Sequence, residues 1–478
     1  MARSYGIEDN MNRYKVLLAV LIGSAMGPLD GSVVNVAMPT LSKVFNVGMS
    51  TVSWVSMSYL LVLSSLLLTY GRLGDMLGYR KLFLWGMLVF TVASALCGLS
   101  PVIGVLILAR AIQAAGAGMM MAVAPAIITG TFPPSERGKA LGFNAMAVAV
   151  GLAVGPSLGG FLLYSLGWSY IFFINLPIGI GGFLWARKIL PDDGRLKPEK
   201  FDPPGAVLGF IFLASLLLYI SKGQEIGWSS GTGYMLLIVF ILAFTAFIIQ
   251  EKRAEEPMLD LSLFRNRMFS AGNLSCLFNF IAQNSMIFLT PFFLTQAGFS
   301  TNQIGLIMTA FPITVLMVAP VSGVLSDKMG PLFLSTGGAL LSAVALYLMS
   351  TLTLDVNAFD VVWRLVLFGL GNGLFQTPNN SSVMGSAPKN RQGIASGVLA
   401  TMRNTGMVLG VALGSGIFTL RHSYYLRILP LTGKALEDAA FMYGLRDAYI
   451  MAAVVDILCM LASSVRGKRI EEPEKNVV

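Results

Sequence analysis

Runs of about twenty predominantly apolar residues return fourteen times along this chain, the first at 16–36 and the last at 445–465. A run of that length crosses roughly 30 Å of hydrocarbon as an α-helix. In lipid every backbone N–H and C=O has to be satisfied within the protein, so the choice is between helices and a closed barrel. Barrel strands are runs of about ten alternating residues, and these runs do not alternate. The expected fold is therefore an all-α polytopic membrane protein. Composition agrees, with 12% charged residues against roughly 25% in soluble domains. The first run is too long for a cleaved leader and is followed at once by another span, so it is expected to remain in the membrane.

The 33 Lys and Arg give a net charge of +9, and most of them fall on the side that holds both termini. The positive-inside rule makes that side cytoplasmic. The basic blocks at 187–200 and 252–267 flank spans and lack interleaved aromatics on which bases could stack, so no nucleic acid is expected as a partner. Cys97, Cys276 and Cys459 all lie within spans and read as small buried hydrophobes. No G-x-x-x-x-G-K-[ST] loop is present, which argues against ATP-driven chemistry. A single histidine, His422, with no Cys/His spacing motif argues against a zinc or histidine-based enzyme. No cofactor and no metal are expected.

Two segments about 252 to 255 residues apart resemble each other. Gly71-x-Leu73-x-Asp75-x-x-Gly78 is echoed by Gly323-x-Leu325-x-Asp327-x-x-Gly330, and glycines 138, 142, 151, 155 and 159 by 393, 397, 406, 410 and 414. Arg110 has a counterpart in Arg364. Two six-helix bundles follow, at 1–190 and 263–478, with a linker and an inserted helix pair at 191–262. The stretch 421–444 reads as an external loop. Parallel repeats of this kind place a substrate cavity between the halves.

Charges within spans cost roughly 2.5 to 3.5 kcal/mol each on insertion scales, so few persist without a role. Asp30 follows Gly27 and Pro28, and the missing Pro28 N–H predicts a kink or loosened turn there. Arg110, with Gln113 on its face, is the expected partner of Asp30. The pair reads either as a proton-coupling site or as a static clamp between two helices. Asp456 is a possible second acid. Asn35, Gln113, Asn279, Gln283, Asn284, Gln376, Asn379, Asn380 and Arg403 would be costly facing lipid and are expected to line the cavity. Asp75 sits at the cytoplasmic end of a span, near Arg80 and Lys81. Together with Gly71, Gly78 and the echo Asp327 it reads as a switchable latch, holding a neighbouring helix end or a basic side chain in one conformation and releasing it in the other. Glycines at every fourth position, Gly151, Gly155 and Gly159, let helix backbones approach closely.

These strings together resemble the major facilitator superfamily over essentially the whole chain. GRLGDMLGYRKLF is similar to the family's signature between spans two and three, with Met76 where a basic residue is usual. ILARAIQAAGAG resembles its span-four motif through Arg110 and Gln113. GLAVGPSLGG resembles the antiporter motif of span five through Gly151, Gly155, Pro156, Gly159 and Gly160. LDGSVVNVAMPTL resembles the span-one motif of the drug/proton antiporter branch with fourteen spans. The resemblance implies a monomeric, proton-coupled antiporter in a bacterial cytoplasmic membrane, exporting small hydrophobic and possibly cationic compounds with the proton gradient as its energy source. A lipid, fatty-acid or metabolite carrier of the same fold is the alternative; a non-transporting sensor or a membrane enzyme stands further off. Exporters of that branch often have acids in span thirteen, whereas the run at 394–420 has none and offers Arg403 instead.

Overall fold

Residues 2–47, 49–192, 201–226, 230–254, 257–388 and 391–466 are described in the computed structural model, and among them helices are joined by short turns with no strand. The first half comprises α1 (Ala2–Val44), α2 (Met49–Leu77), α3 (Tyr79–Gly98), α4 (Ile103–Thr131), α5 (Arg137–Ser165), the single turn α6 (Tyr170–Phe173) and α7 (Asn175–Ile189). Next come α8 (Pro203–Ile226) and α9 (Gly231–Arg253). The second half comprises α10 (Arg267–Gln296), α11 (Thr301–Met308), α12 (Ala310–Met329), α13 (Pro331–Ser350), α14 (Ala358–Ser386), α15 (Gln392–Ile428) and α16 (Gly433–Ser464). Among the described residues, eleven spans are long and apolar enough to cross a membrane; α5, α15 and α16 are not among them.

Helices that are apolar all round bury some faces against each other and leave the rest to lipid. In the first half α1 packs on α5, and α4 on both α2 and α3; in the second, α10 packs on α15, and α13 on both α14 and α16. The halves meet along two seams, α2 against α15 and α5 against α12. The α8–α9 hairpin rests on the first of these, with α8 touching both α2 and α15. Its Phe212 and Phe247 join a cluster that also holds Leu68 of α2 and Val398 of α15.

The repeated glycines have two distinct reasons. Gly78 and Gly330 turn the chain between consecutive helices with φ of 96° and 82°, a region that side chains with a Cβ seldom adopt. Gly71, Gly138 and Gly142 instead permit contact across the seams. A Cβ on Gly71 would stand 2.5 Å from the Gly393 carbonyl oxygen, and one on Gly142 2.7 Å from that of Ala319. Each echo thus packs against the other motif's partner: the α2 string meets the α15 glycines, and the α12 string meets those of α5.

α1 runs as one helix from Ala2 to Val44 with Pro28 inside it, since a single missing N–H removes one bond from a ladder that its neighbours maintain. One sequence expectation is corrected here, the loop at 421–444. α15 runs to Ile428 and α16 starts at Gly433, leaving four residues between them. Arg421 Nε donates to the Asp447 carboxylate at 2.5 Å and Tyr425 donates to it at 3.0 Å, so the polar residues that resemble a loop are bonds between two long helices.

Candidate functional site

A cavity of about 330 Å³ lies between the halves, walled by α1, α2, α4 and α5 on one side and by α10, α12, α14 and α15 on the other. The two glycine-packed seams close the bundle at the end where α2 and α12 finish. Gly27 and Pro28 face the cavity, and so do Asn35, Tyr59, Arg110, Gln283, Gln376, Asn380 and Arg403. Among the described residues no carboxylate lines it.

Asp30 stands one layer behind this wall, 1% exposed. Its carboxylate is ion-paired to Arg110 and accepts hydrogen bonds from Gln113 at 3.0 Å and Asn175 at 2.7 Å. Arg110 also donates to the Val55 carbonyl at 3.2 Å and to Gln113 at 2.6 Å, and its guanidinium lies 4.2 Å from the centre of the Tyr59 ring. One carboxylate thereby ties α1, α4 and α7 together, and Arg110 extends the tie to α2. The arginine faces the cavity, and Asp30 reaches it only through that arginine. Charge-assisted, multiply bonded pairs of this kind are the strong ones. Burying them gains little net stability, while removing either partner costs about 3 to 5 kcal/mol.

A second polar chain runs through the other half. Gln376, on the cavity wall, donates to Gln283 at 2.8 Å and to Asn279 at 3.4 Å; Asn279 in turn donates to Asp456 at 3.5 Å. Asp456 is fully buried and its second oxygen has no hydrogen-bond partner among the described residues. Arg403 does not approach it. Among the described residues none accepts a hydrogen bond from the Arg403 guanidinium, which lines the cavity together with Cys276.

Four residues expected on the cavity wall are elsewhere. Gln113 and Asn279 are fully buried in the two networks just described. Asn284 donates to the Phe280 carbonyl at 3.0 Å and packs against Gly410, and Asn379 accepts from Arg466. Helical period explains the error: Gln376 and Asn380 are four apart and share a face, whereas Asn379 is turned about 100° from Asn380. Arg364 sits near the start of α14 as Arg110 does in α4, but with different partners: it donates to the carbonyls of Leu348 at 3.0 Å and Asp360 at 2.6 Å. His422 stacks on Phe418 with ring centres 5.6 Å apart.

Asp75 does not bind the neighbouring cations. Its two oxygens accept the amide hydrogens of Gly393 at 2.8 Å and Ile394 at 2.9 Å, in the first turn of α15, and the Tyr79 hydroxyl donates to it at 2.6 Å. Asp327 repeats the arrangement on the first turn of α5, accepting from Gly138 at 3.0 Å and Lys139 at 3.1 Å. Arg80 pairs instead with Asp192 and donates to the Arg187 carbonyl at 2.7 Å, while Lys81 is exposed. In the antiporter motif, Gly151 and Gly159 seat α5 against α1, with Cβ positions 2.9 Å from the Ala25 oxygen and 3.2 Å from Val33. Gly155 meets Ser32, whereas Gly160 faces open space and Pro156 lies in unbroken helix.

Asn175 and Tyr59 were not anticipated. A buried asparagine opening span six in INLPIG was the available signal for the first. Nothing in the string around Tyr59 distinguishes it from lipid-facing aromatics.

Two similar helix bundles enclosing a central, mostly apolar cavity, clasped at one end by reciprocal carboxylates, define a membrane transporter. The chain belongs to the Major Facilitator Superfamily, which it matches over residues 20–411. It is 35% identical over 445 residues to the riboflavin transporter RibZ of Clostridioides difficile, covering 93% of this chain and 95% of that protein. It is 32% identical over 441 residues to the tetracenomycin C resistance and export protein of Streptomyces glaucescens, covering 89% and 82%. Its fold is similar to the crystal structure of the human organic anion transporter MFSD10, with a TM-score of 0.68 at 15% identity over 94% of this chain and 99% of that one.

Proposed function

We propose that this transporter is a proton-driven exporter of hydrophobic compounds, working by alternating access of the central cavity. The observation that carries this reading is the buried Asp30–Arg110 pair set directly behind the cavity wall. A proton taken up by Asp30 removes the anion that holds Arg110. The guanidinium then exchanges an ion pair for cavity contacts, which alters how α1, α4 and α2 sit together. Coupling runs through conformation, because a substrate in the cavity meets Arg110 and Tyr59 rather than Asp30 itself. Asp75 and Asp327 hold the closed end shut and release it in the alternate state. The reading includes fourteen spans, α5, α15 and α16 being held by packing rather than hydropathy. It also includes a monomeric protein, not an enzyme and without a cofactor, in a bacterial cytoplasmic membrane with both termini inside. A bacterial resistance and export protein and a bacterial multidrug transporter among the relatives support the export reading.

The 35% identity to a riboflavin transporter favours a second reading, a carrier of a metabolite on the same scaffold. Reconstitution in liposomes with an imposed pH gradient separates driven from passive flux. Dye efflux by the parent protein should follow the gradient, and Asp30→Asn should abolish that response. A variant that keeps the full response would remove Asp30 from the coupling role.

A further inference from the structure

We infer that the cavity selects organic anions, apolar molecules bearing one carboxylate or sulfonate, and that Arg403 is the residue that reads the charge. This deepens the exporter reading above and rests on it for transport, though not for binding. Among the described residues two cations reach the cavity surface and no carboxylate does. Arg110 is neutralised from behind by Asp30. Arg403 has no acceptor among the described residues, and Asp456, the buried acid of the same half, is held away on Asn279. The sign of the cavity is therefore set by one uncompensated guanidinium, and a low-dielectric cleft lined by one sign concentrates ligands of the other.

The amides around it are divided, so the guanidinium alone sets the preference for an anion. Gln283 uses its oxygen to accept from Gln376 at 2.8 Å, and Asn35 uses its oxygen to accept from Ser56 at 3.1 Å. Both leave an NH₂ as the group available to a ligand. Asn404 and Gln376 are reversed, the first donating to the Ala400 carbonyl at 2.9 Å and the second to Gln283 at 2.8 Å, each leaving its oxygen. Phe280, Phe311 and Tyr59 supply the apolar surface for the body of the molecule. A cation here would meet Arg403 with no counter-charge on the wall. The expectation of cationic cargo thus loses its chemical basis, and the absence of an acid from span thirteen becomes a positive feature of selection.

The experiment measures binding of three matched fluorophores, pyrenebutyrate, pyrenebutyramide and pyrenebutylamine, to the full chain in nanodiscs without any gradient. Pyrenebutyrate should bind about ten- to hundredfold more tightly than the amide, the range of a charge-assisted hydrogen bond, with the amine weakest. Arg403→Gln should erase the difference between acid and amide, and Arg403→Lys should retain part of it. Equal or tighter binding of the amine to the parent protein overturns the proposal, as does no binding of any of the three. An unchanged preference in Arg403→Gln overturns the assignment to Arg403. The parent's ranking stands as a test even if Arg403→Gln does not fold. Because binding is read without a proton gradient, a failure of proton-driven flux leaves this result standing, and the reverse also holds.

Discussion

Asp75 on α2 accepts the amide hydrogen of Gly393 on α15 at 2.8 Å, joining residues 318 positions apart in the chain. Asp327 makes the same bond to Gly138 in the opposite direction. A carboxylate at a helix N-terminus meets both unsatisfied N–H groups and the positive end of the helix dipole. Each half of the protein therefore supplies the cap for a helix of the other.

Replacing that carboxylate by an amide should weaken the closed end without unfolding the protein. Loss of a cap is worth about 1 to 2 kcal/mol, so Asp75→Asn or Asp327→Asn should shift the balance between closed and open by about five- to thirtyfold. Spin labels on α2 and α15 would report the change as a new long-distance population. An unchanged distance distribution in the double variant would refute the clasp.

Glycine substitutions should divide sharply by position. Gly71→Ala places a methyl 2.5 Å from a backbone oxygen that belongs to the other half, whereas Gly160 has nothing within 4 Å. Transport is expected to fall at least tenfold in Gly71→Ala and to be unaffected in Gly160→Ala, measured as flux per folded protein in liposomes. Equal fluxes from the two variants would show that the α2–α15 contact is not needed for turnover.

Stability should separate the Asp30–Arg110 pair from its function. Asp30→Asn leaves a buried guanidinium without its anion and is expected to destabilise by about 3 to 5 kcal/mol. Asp30→Asn combined with Arg110→Gln should recover much of that loss while transport remains uncoupled from the pH gradient. Thermal unfolding and gradient-driven flux on all four members of the cycle supply the check. Recovery of coupling in the double variant would contradict the proton-site reading.

Tyr59 tests the wall in front of the pair. Its hydroxyl has no hydrogen-bond partner among the described residues, while its ring centre lies 4.2 Å from the Arg110 guanidinium. Tyr59→Phe should change stability by less than about 0.5 kcal/mol. Tyr59→Ala should lose the cation–π contact and the packing of a buried ring, about 3 to 5 kcal/mol in all. A thermal melt in which the phenylalanine variant is as damaged as the alanine variant would assign the role to the hydroxyl instead.

Hydrophobic run length was enough to place nearly every long helix, and internal repetition was enough to pair Asp75 with Asp327 as equivalents. The partnership of Asp30 and Arg110 could also be read, because two opposite charges in spans have few other places to go. That Asp75 holds either a neighbouring helix end or a basic side chain could be read as well, but which of the two, and which helix, could not. Its donors are the backbone amides of Gly393 and Ile394, and a backbone N–H carries no residue-specific signal, whereas the nearby Arg80 and Lys81 do carry one. Gln113, Asn279, Asn284 and Asn379 escaped for a related reason. Polarity indicates that a side chain avoids lipid, but a rotation of 100° per residue decides whether it meets a cavity or another side chain. Asn175 and Tyr59 depend on which helices become neighbours, a fact of tertiary packing.

The hairpin of α8 and α9 makes the two seams unequal. α8 lies across both α2 and α15, so any motion that parts those helices must either drag the hairpin along with one of them or shear it off the other. The α5–α12 side carries no such outrigger. Opening of the clasped end should consequently begin as a lopsided hinge, with the uncovered side leading and the bridged side acting as the pivot.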